Sequence, residues 1–424
     1  MKKSFYLDSE IVVIGLGYVG FPLATKLSSV FKVIGFDISS NRINELKEGK
    51  DLTREISIEK FKKIKNLRLT SNPEDIFKKN IYIVTVPTPL KKNNEPDLSF
   101  LKEACRLVGK NINKYGIAIF ESTVYPGVTE KICGSIIEEE SNLKLNKGFF
   151  LGYSPERINP GDKKHTIEKI TKVVSGSNKE ITKIIGKIYE SIIHKGVHYA
   201  QSIKIAEMAK AIENAQRDIN IAFVNEVAML CQHLDISVYD VLEAACTKWN
   251  FLPFQPGLVG GHCIGVDPYY LAHLAKGLGY DTKLILAGRH LNDEMTDLIF
   301  SIIKKDISLK DRILQIGVTF KENVPDIRNS KAAELANFFI NSGYNLDLYD
   351  PVAQQEEVLK IYGLKLTKPV GHYDYIILAV PHESLVSNFN QEISKYYKNT
   401  SIIFDIKGVL KNKSLKNNVI YKTL

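Results

Sequence analysis

Cysteine is scarce in this chain of 424 residues: five residues, an odd number, with no Cys-x-x-Cys pair. That excludes a disulfide framework or a thiolate zinc site as the organising device, and no metal is expected. No apolar run approaches the length of a membrane span. The first ten residues hold two lysines but lead into a short apolar strand and a glycine loop, which is not the layout of a signal peptide. The expectation is a cytoplasmic protein with no membrane insertion. The net charge is +9, yet the lysines are scattered and no basic block alternates with aromatics, so nucleic acid is not an expected partner. An anionic small substrate and a solvated lysine-rich surface both account for the charge. A length of 424 residues with 44% hydrophobic and 25% charged residues predicts two or three globular domains with sizeable cores.

What is present begins with glycine. Glu10 to Ile14 reads as a β-branched strand ending in Gly15-Leu-Gly17-Tyr18-Val19-Gly20, followed by a helical pattern from Phe21 to Val30 and a second strand, Lys32 to Phe36, ending in Asp37. Strand, three spaced glycines, helix, strand and acid form the dinucleotide-binding fingerprint in its required context. The glycines admit a pyrophosphate to the helix N-terminus, where unpaired N–H groups favour negative charge. Asp37 accepts from the adenine ribose hydroxyls, and because a carboxylate there repels a 2'-phosphate the expected cofactor is NAD. Arg42 lies over the adenine, reaches a phosphate, or is a solvated helix arginine.

The strand grammar continues. Ile81 to Val86 ends in Pro87-Thr88-Pro89, and Ile117 to Phe120 ends in Glu121-Ser122-Thr123-Val124. Ligands in doubly wound sheets bind outside the carboxyl ends of strands, so Thr88 and Thr123 are candidate contacts to the nicotinamide ribose or a reacting water, or caps of the next helix. A strand around Phe149 to Gly152 leads to Ser154-Pro155-Glu156-Arg157-Ile158, with Glu156 a candidate acid or base. Ser202 to Leu234 reads as one helix of about 50 Å, a spine joining two lobes and an expected dimer contact. On it Lys210, Asn214 and Arg217 share one face, either a solvated charged stripe or a lysine, amide and guanidinium aimed together into a cleft. From Asp311 a second α/β unit begins with strands at Arg312 to Val318, Asn345 to Tyr349, Asp374 to Val380 and Ser401 to Ile406. It has Gly317 but no glycine triplet, so it should hold something other than a dinucleotide. Lys321, Arg328 and Lys407 at its strand ends suit a diphosphate, which an arginine binds through two N–H bonds, or are ordinary surface cations.

Cysteines 105, 133, 231 and 246 lie among apolar residues in helix-like segments and read as packing. Cys263 stands apart, in Gly260-Gly261-His262-Cys263-Ile-Gly-Val-Asp267-Pro-Tyr-Tyr. Glycines let the backbone approach a ligand, and a thiol in such a loop is either a tuned nucleophile or a small buried hydrophobe.

The glycine fingerprint, Val86-Pro87-Thr88-Pro89, Glu121-Ser122-Thr123-Val124, Ser154-Pro155-Glu156-Arg157, Lys210 with Asn214, Gly260-Gly261-His262-Cys263 and Phe320-Lys321 together resemble the UDP-glucose/GDP-mannose dehydrogenase family over essentially the whole chain. The loop with Cys263 and the run Ser-Pro-Glu-Arg-Ile-Asn-Pro-Gly are similar to the UDP-N-acetylhexosamine 6-dehydrogenases of bacterial capsule, Vi-antigen and O-antigen synthesis. The resemblance implies an α/β protein with two Rossmann-like doubly wound lobes joined by a long central helix within an all-α dimerisation domain. The implied domains are 1–199 for NAD, 200–305 for dimerisation, and 306–424 for the UDP-sugar. It further implies a homodimer and a four-electron oxidation of a sugar C6 alcohol to a carboxylate with two NAD. Lys210, or a water held by Asp267, would be the first base. Cys263 would add to the aldehyde and carry a thioester, and Thr123, Glu156 and Asp267 would place the hydrolytic water. Lys210 and Asn214 would stabilise oxyanions. Phe320, Lys321, Arg328 and Lys407 would form the UDP side, with Arg328 reaching the cofactor as well. Arg157, Ile158, Arg217, Lys248, Asn250, Gly260 and Arg289 complete the expected substrate contacts. Competing readings are a two-electron dehydrogenase of the hydroxyacyl or phosphogluconate kind, which needs neither Cys263 nor a second α/β lobe, and a non-enzymatic NAD-binding assembly protein.

Overall fold

The computed structural model describes residues 6, 8–51, 53, 56, 64–157, 167–262, 264–415 and 419–424. It divides into two compact units, residues 1–213 with 269–280, and residues 214–268 with 281–424.

The first unit runs β1 (Ile11–Ile14), α1 (Gly20–Leu27), β2 (Val33–Phe36), α2 (Ser40–Lys47), β3 (Leu67–Thr70), β4 (Lys79–Val84), α3 (Ser99–Asn111), β5 (Ile112–Phe120), α4 (Gly134–Ser141), β6 (Phe150–Tyr153), β7 (Lys172–Gly176), α5 (Lys179–Glu190) and β8 (Val197–Tyr199). The sheet order is β3-β2-β1-β4-β5-β6-β7-β8. Its first six strands are parallel and follow the dinucleotide-binding order, with the switch point between β1 and β4. Ile11 pairs with Val33 on one side and Ile81 on the other. β1, β2 and β6 are buried along their whole length, as helices on both faces of a parallel sheet require. Val13, Leu23, Leu27, Ile83, Ile185 and Ile188 belong to one core on one side of it. β7 pairs antiparallel with β6.

Helix α6 (Ile203–Leu234) is one unbroken element of 32 residues, about 48 Å long. The second unit continues with α7 (Val238–Ala245), α8 (Asp267–Gly277), whose later residues belong to the first unit, and α9 (Lys283–Ile303). Then follow β9 (Arg312–Ile316), α10 (Lys331–Asn341), β10 (Asn345–Tyr349), α11 (Gln355–Tyr362), β11 (Tyr373–Leu378), β12 (Tyr397–Asp405) and β13 (Ile420–Thr423). The strands pair in the order β10-β9-β11-β12-β13, all parallel. This is the other common doubly wound order, with its switch point between β9 and β11. Leu314, Ile316 and Ile376 pack with Phe389 on one face, and Ile313, Ile377 and Phe404 pack with Met295, Ile299 and Phe339 on the other.

Strands β3, β8 and β13 carry no strong sequence signal because each is a sheet edge. Leu67-Arg-Leu-Thr, Val197-His-Tyr and Ile420-Tyr-Lys-Thr are only partly buried, so the apolar run that marks a central strand is missing. Cys105, Cys133 and Cys231 are buried, but Cys246 is exposed. The helix that was expected to bury it ends at Ala245, leaving Cys246 as its C-cap. Among the described residues no helix is long and apolar enough to cross a membrane.

Candidate active site

In the first unit Gly15 takes φ +91, a conformation that side chains resist. A Cβ on Gly20 would stand 1.8 Å from the Gly15 carbonyl oxygen, so only glycine lets α1 begin against the loop. At Gly17 an added Cβ meets nothing within 4 Å, which leaves the open flank a pyrophosphate needs. Val19 is the N-cap of α1 and no side chain caps the helix; Phe21 N–H is turned to the Gly17 carbonyl (3.2 Å) and Pro22 has no N–H, so the Gly20 N–H at the helix start is the one left for an anion. Asp37 ends the strand beside it. Its Oδ2 accepts from Leu16 N (2.8 Å) and its Oδ1 from Ser39 N (2.9 Å), which fixes the carboxylate with lone pairs left for ribose hydroxyls. These residues fit NAD. Arg42 is committed to the protein: its Nε donates to Leu16 O (2.9 Å), it pairs with Asp51 (2.8 Å), and its guanidinium lies 5.6 Å from the Phe21 ring centroid. Arg42 is thus not a solvated helix arginine: its side chain is 13% exposed and braces the glycine loop.

The loops after β4 and β5 are fastened together. Ser122 Oγ donates to Val86 O (2.6 Å), and Thr88 Oγ1 donates to Thr123 O (2.8 Å), while the Thr88 carbonyl accepts from Tyr270 (2.7 Å). Thr88 therefore spends its hydroxyl on the partner loop, and no helix takes it as a cap. Glu156 follows β6. Its Oε1 accepts from Arg157 N (2.7 Å) and its Oε2 lies 3.4 Å from Lys172 Nζ. Arg157, expected at the substrate, gives its guanidinium to Glu213 on α6 (2.8 Å) and to Thr171 O (2.9 Å). Lys210 is only 8% exposed, yet it has no hydrogen-bond or ion-pair partner among the described residues. Its nitrogen is not one of the fully buried side-chain atoms left without a partner, so the ammonium is open to solvent or to a ligand.

In the second unit Asn214 Nδ2 donates to Asp267 Oδ2 (2.5 Å), with Asp267 buried as the first residue of α8. The loop between them is pinned through its backbone. Asn225 bonds both the N–H (2.8 Å) and the carbonyl (3.1 Å) of Gly257. Asn329 does the same for Gly261, accepting from its N–H through the Asn329 carbonyl (3.0 Å) and donating to its carbonyl through Nδ2 (3.0 Å). A Cβ on Gly260 would lie 2.3 Å from the Asn329 carbonyl oxygen, and one on Gly261 2.6 Å from the Phe320 ring, so both glycines are steric requirements. Arg289, expected to touch substrate, is 1% exposed, ion-paired with Asp218 and Asp293, and 3.4 Å from Val259 O. Burial pushes the Asp218 carboxyl up to about 6 against the pull of that guanidinium. Arg289 thus supports the loop from beneath.

Phe320, Lys321 and Lys407 line a small pocket with Leu258, Gly260 and Lys331. Lys407 Nζ is 2.6 Å from Glu322, which burial pushes up but Lys407 holds below the ordinary carboxylate value. Arg328 is paired with Asp326, and His262 stands 3.4 Å from the same carboxylate. Arg217, Lys248 and Asn250 are exposed. Cys263 and Ile158 lie outside the described residues. The sequence reading gave no role to Lys331, Asn225, Asn329, Asp218 and Lys172. Each gains its meaning from a partner far along the chain, so no local motif marks it. No cluster of three or more metal-ligating side chains occurs among the described residues.

The first unit carries an open glycine loop and the second a lysine-lined pocket, and both are doubly wound. Residues 9–193 match the NAD-binding domain of the UDP-glucose/GDP-mannose dehydrogenase family, 204–294 its central domain and 314–412 its UDP-binding domain. The chain belongs to this family, and its cofactor is NAD. It is 47% identical to protein CapL of Staphylococcus aureus, covering 96% of this chain and 98% of that one. It is 46% identical to a UDP-N-acetyl-D-glucosamine 6-dehydrogenase of Pseudomonas aeruginosa, over 95% and 97% of the two chains. Among solved structures, a UDP-D-ManNAc dehydrogenase from Pyrococcus horikoshii superposes with a TM-score of 0.84 at 29% identity, over 97% of this chain and 98% of that one.

Proposed function

We propose that this protein oxidises C6 of a UDP-N-acetylhexosamine, of gluco or galacto configuration, to the uronic acid in two NAD-dependent steps, supplying surface polysaccharide synthesis in the cytoplasm. The observation that carries the reading is Lys210, a largely buried lysine whose ammonium has no partner among the described residues, one helical turn before Asn214, whose amide donates to Asp267. NAD supplies the hydride acceptor for both oxidations. Lys210, or a water held by Asp267, takes the C6 hydroxyl proton, and Lys210 with Asn214 stabilises the oxygen that becomes negative, an effect commonly worth about 3 kcal/mol. The Cys263 thiolate adds to the aldehyde, and after the second oxidation leaves as a thiolate when water attacks the thioester. Glu156 is the base for that water, with Thr123 and Asp267 ordering it. Phe320, Lys321, Lys331 and Lys407 receive the diphosphate. The three domains 1–199, 200–305 and 306–424 follow the three matched stretches.

A homodimer is part of the reading. Ile205, Met208, Ile212, Phe223, Leu230 and Leu234 are 43–67% exposed and recur at helical spacing along one stripe of α6. Light scattering on a sizing column should give twice the chain mass.

The deciding experiment assays purified protein with NAD against UDP-N-acetylglucosamine, UDP-N-acetylgalactosamine, UDP-N-acetylmannosamine and UDP-glucose. The expected result is about two NADH per sugar and a clear preference for one of the first two. One NADH per sugar with free aldehyde, or a preference for UDP-glucose, overturns the reading.

A further inference from the structure

Behind Glu156 lies a buried cluster that the roles above leave unused. Glu121 ends β5 with a fully buried side chain, Lys172 opens β7 with its side chain 4% exposed, and Tyr189 on α5 is fully buried. Lys172 Nζ donates to Glu121 at 2.7 Å and stands 3.4 Å from Glu156 Oε2. The Tyr189 hydroxyl donates to the other Glu121 oxygen, and Lys172 Nζ lies 5.3 Å from the Tyr189 ring centroid. Two carboxylates face one ammonium, so the cluster carries more negative than positive charge in a place where charge is expensive. Apolar residues of the same volume would serve packing at least as well. The cluster is also graded: Glu156, its outermost member, is 11% exposed.

We propose that Lys172, held in place by Glu121 and Tyr189, is a positioning residue that fixes Glu156 as an oriented carboxylate for the hydrolysis of the acyl-enzyme. This rests on the role given to Glu156 under the proposed function. In that step the water oxygen bonds to the thioester carbonyl carbon, the C–S bond breaks with its electron pair going to sulfur, and the water proton passes to Glu156. No oxidant or reductant is consumed.

The electrostatics agree with the geometry. Burial pushes Glu121 up to about 7 against the pull of Lys172. Burial works against the Lys172 ammonium too, but Glu121 and Glu156 hold its pKa above the ordinary lysine value. Burial and the neighbouring Glu121 carboxylate drive the Tyr189 hydroxyl far up, so it remains a donor. Among the described residues, Arg157 next to Glu156 is paired with Glu213. The cluster thus presents a permanent cation to Glu156, backed by a carboxyl that titrates near neutrality.

The test compares Lys172→Met, Lys172→Arg, Glu121→Gln and Glu156→Gln in single turnovers with NAD and UDP-N-acetylglucosamine, following NADH and the acyl-enzyme by quenched mass spectrometry. Lys172→Met should form NADH at a rate within about threefold of wild type, slow hydrolysis by about 100-fold, and accumulate the thioester. The acid limb of its hydrolysis profile should rise by about one pH unit or more, the usual effect of removing an opposite charge beside a carboxylate. Lys172→Arg should restore most of the rate. Glu121→Gln keeps the volume but removes a like charge, so it should move the limb the opposite way, to lower pH and by less, which preserves the test if Lys172→Met does not fold. If Glu156→Gln accumulates thioester while Lys172→Met and Glu121→Gln leave the acid limb unmoved, or slow both phases equally, the inference is wrong. If Glu156→Gln hydrolyses normally, the role of Glu156 itself fails and takes this inference with it.

Discussion

In the first lobe Gly15 follows β1 and donates its N–H to the Phe36 carbonyl (2.8 Å); in the second, Gly317 follows β9 and donates to the Tyr349 carbonyl at the same distance. The next residue in each, Leu16 or Val318, donates to a carboxylate at the end of the neighbouring strand, Asp37 (2.8 Å) or Asp350 (2.7 Å). From there the lobes part. The first reaches its helix at Gly20, within five residues, and leaves Asp37 half-buried with Gly17 open beside it. The second interposes Thr319 to Asn329 before α10 and buries Asp350, whose Oδ2 also takes Thr319 N (3.2 Å) and His382 Nε2 (3.1 Å). His382 Nδ1 in turn accepts from Asn323 N (3.0 Å), which ties the inserted loop down. One carboxylate is left for a ligand and the other is consumed by the fold. The first lobe keeps an open glycine loop beside its carboxylate, while the second places Lys321, Lys331 and Lys407 around a pocket.

The comparison is open to attack at several points. Gly317→Ala should cost most: φ is +97 and the new Cβ would stand 2.4 Å from Val380 Cβ, so a loss of about 3 kcal/mol or more is expected in urea denaturation. An unchanged midpoint would mean the second lobe does not need that close approach. Gly20→Ala should weaken NAD binding by about 100-fold, roughly 2.7 kcal/mol, while calorimetry with UDP shows its site intact. Equal loss of both ligands would deny that the lobes are separate sites.

Two buried carboxyls sharpen the contrast through pH. Glu121 in the first lobe has its folded value raised from 4.5 to about 7, so between those limits the folded state keeps a proton that the unfolded chain has released. Wild-type stability measured against Glu121→Gln should therefore fall by about 2 kcal/mol as pH rises through that window and level off above it. For Asp350, burial raises the carboxyl but His382 and backbone N–H groups bring it below the ordinary 3.8. Its contribution, measured against Asp350→Asn, should be full above that value and vanish as pH falls below it. Melting curves from pH 3 to 8 read both slopes. The smallest effect is Asp37→Ala, about tenfold in NAD affinity together with a weaker preference over NADP.

Much of this was legible from the chain alone because the informative contacts are local. Gly15, Gly17, Gly20 and Asp37 fall within one strand-helix-strand unit, and the central strands of both sheets are apolar on both faces. Asp350 carries no such mark, since without a glycine triplet nothing in its neighbourhood distinguishes it from a turn aspartate. Lys172 meets Glu121 across 51 residues, and Arg289 meets Asp218 across 71. Periodicity reports which face of a helix is apolar and says nothing of which distant acid a buried cation will find. Arg157 and Arg289, expected at the substrate from the family resemblance, are engaged with acids in the fold.

The hydroxyl bonds that join Val86 to Ser122 and Thr88 to Thr123 make the two loops a single plate. Anyone retuning this enzyme should treat them as one inherited block. A library that varies residues 86–89 while freezing 121–124 would mostly sample mismatched halves, and improvements found in either segment should fail to transfer unless both are carried over together.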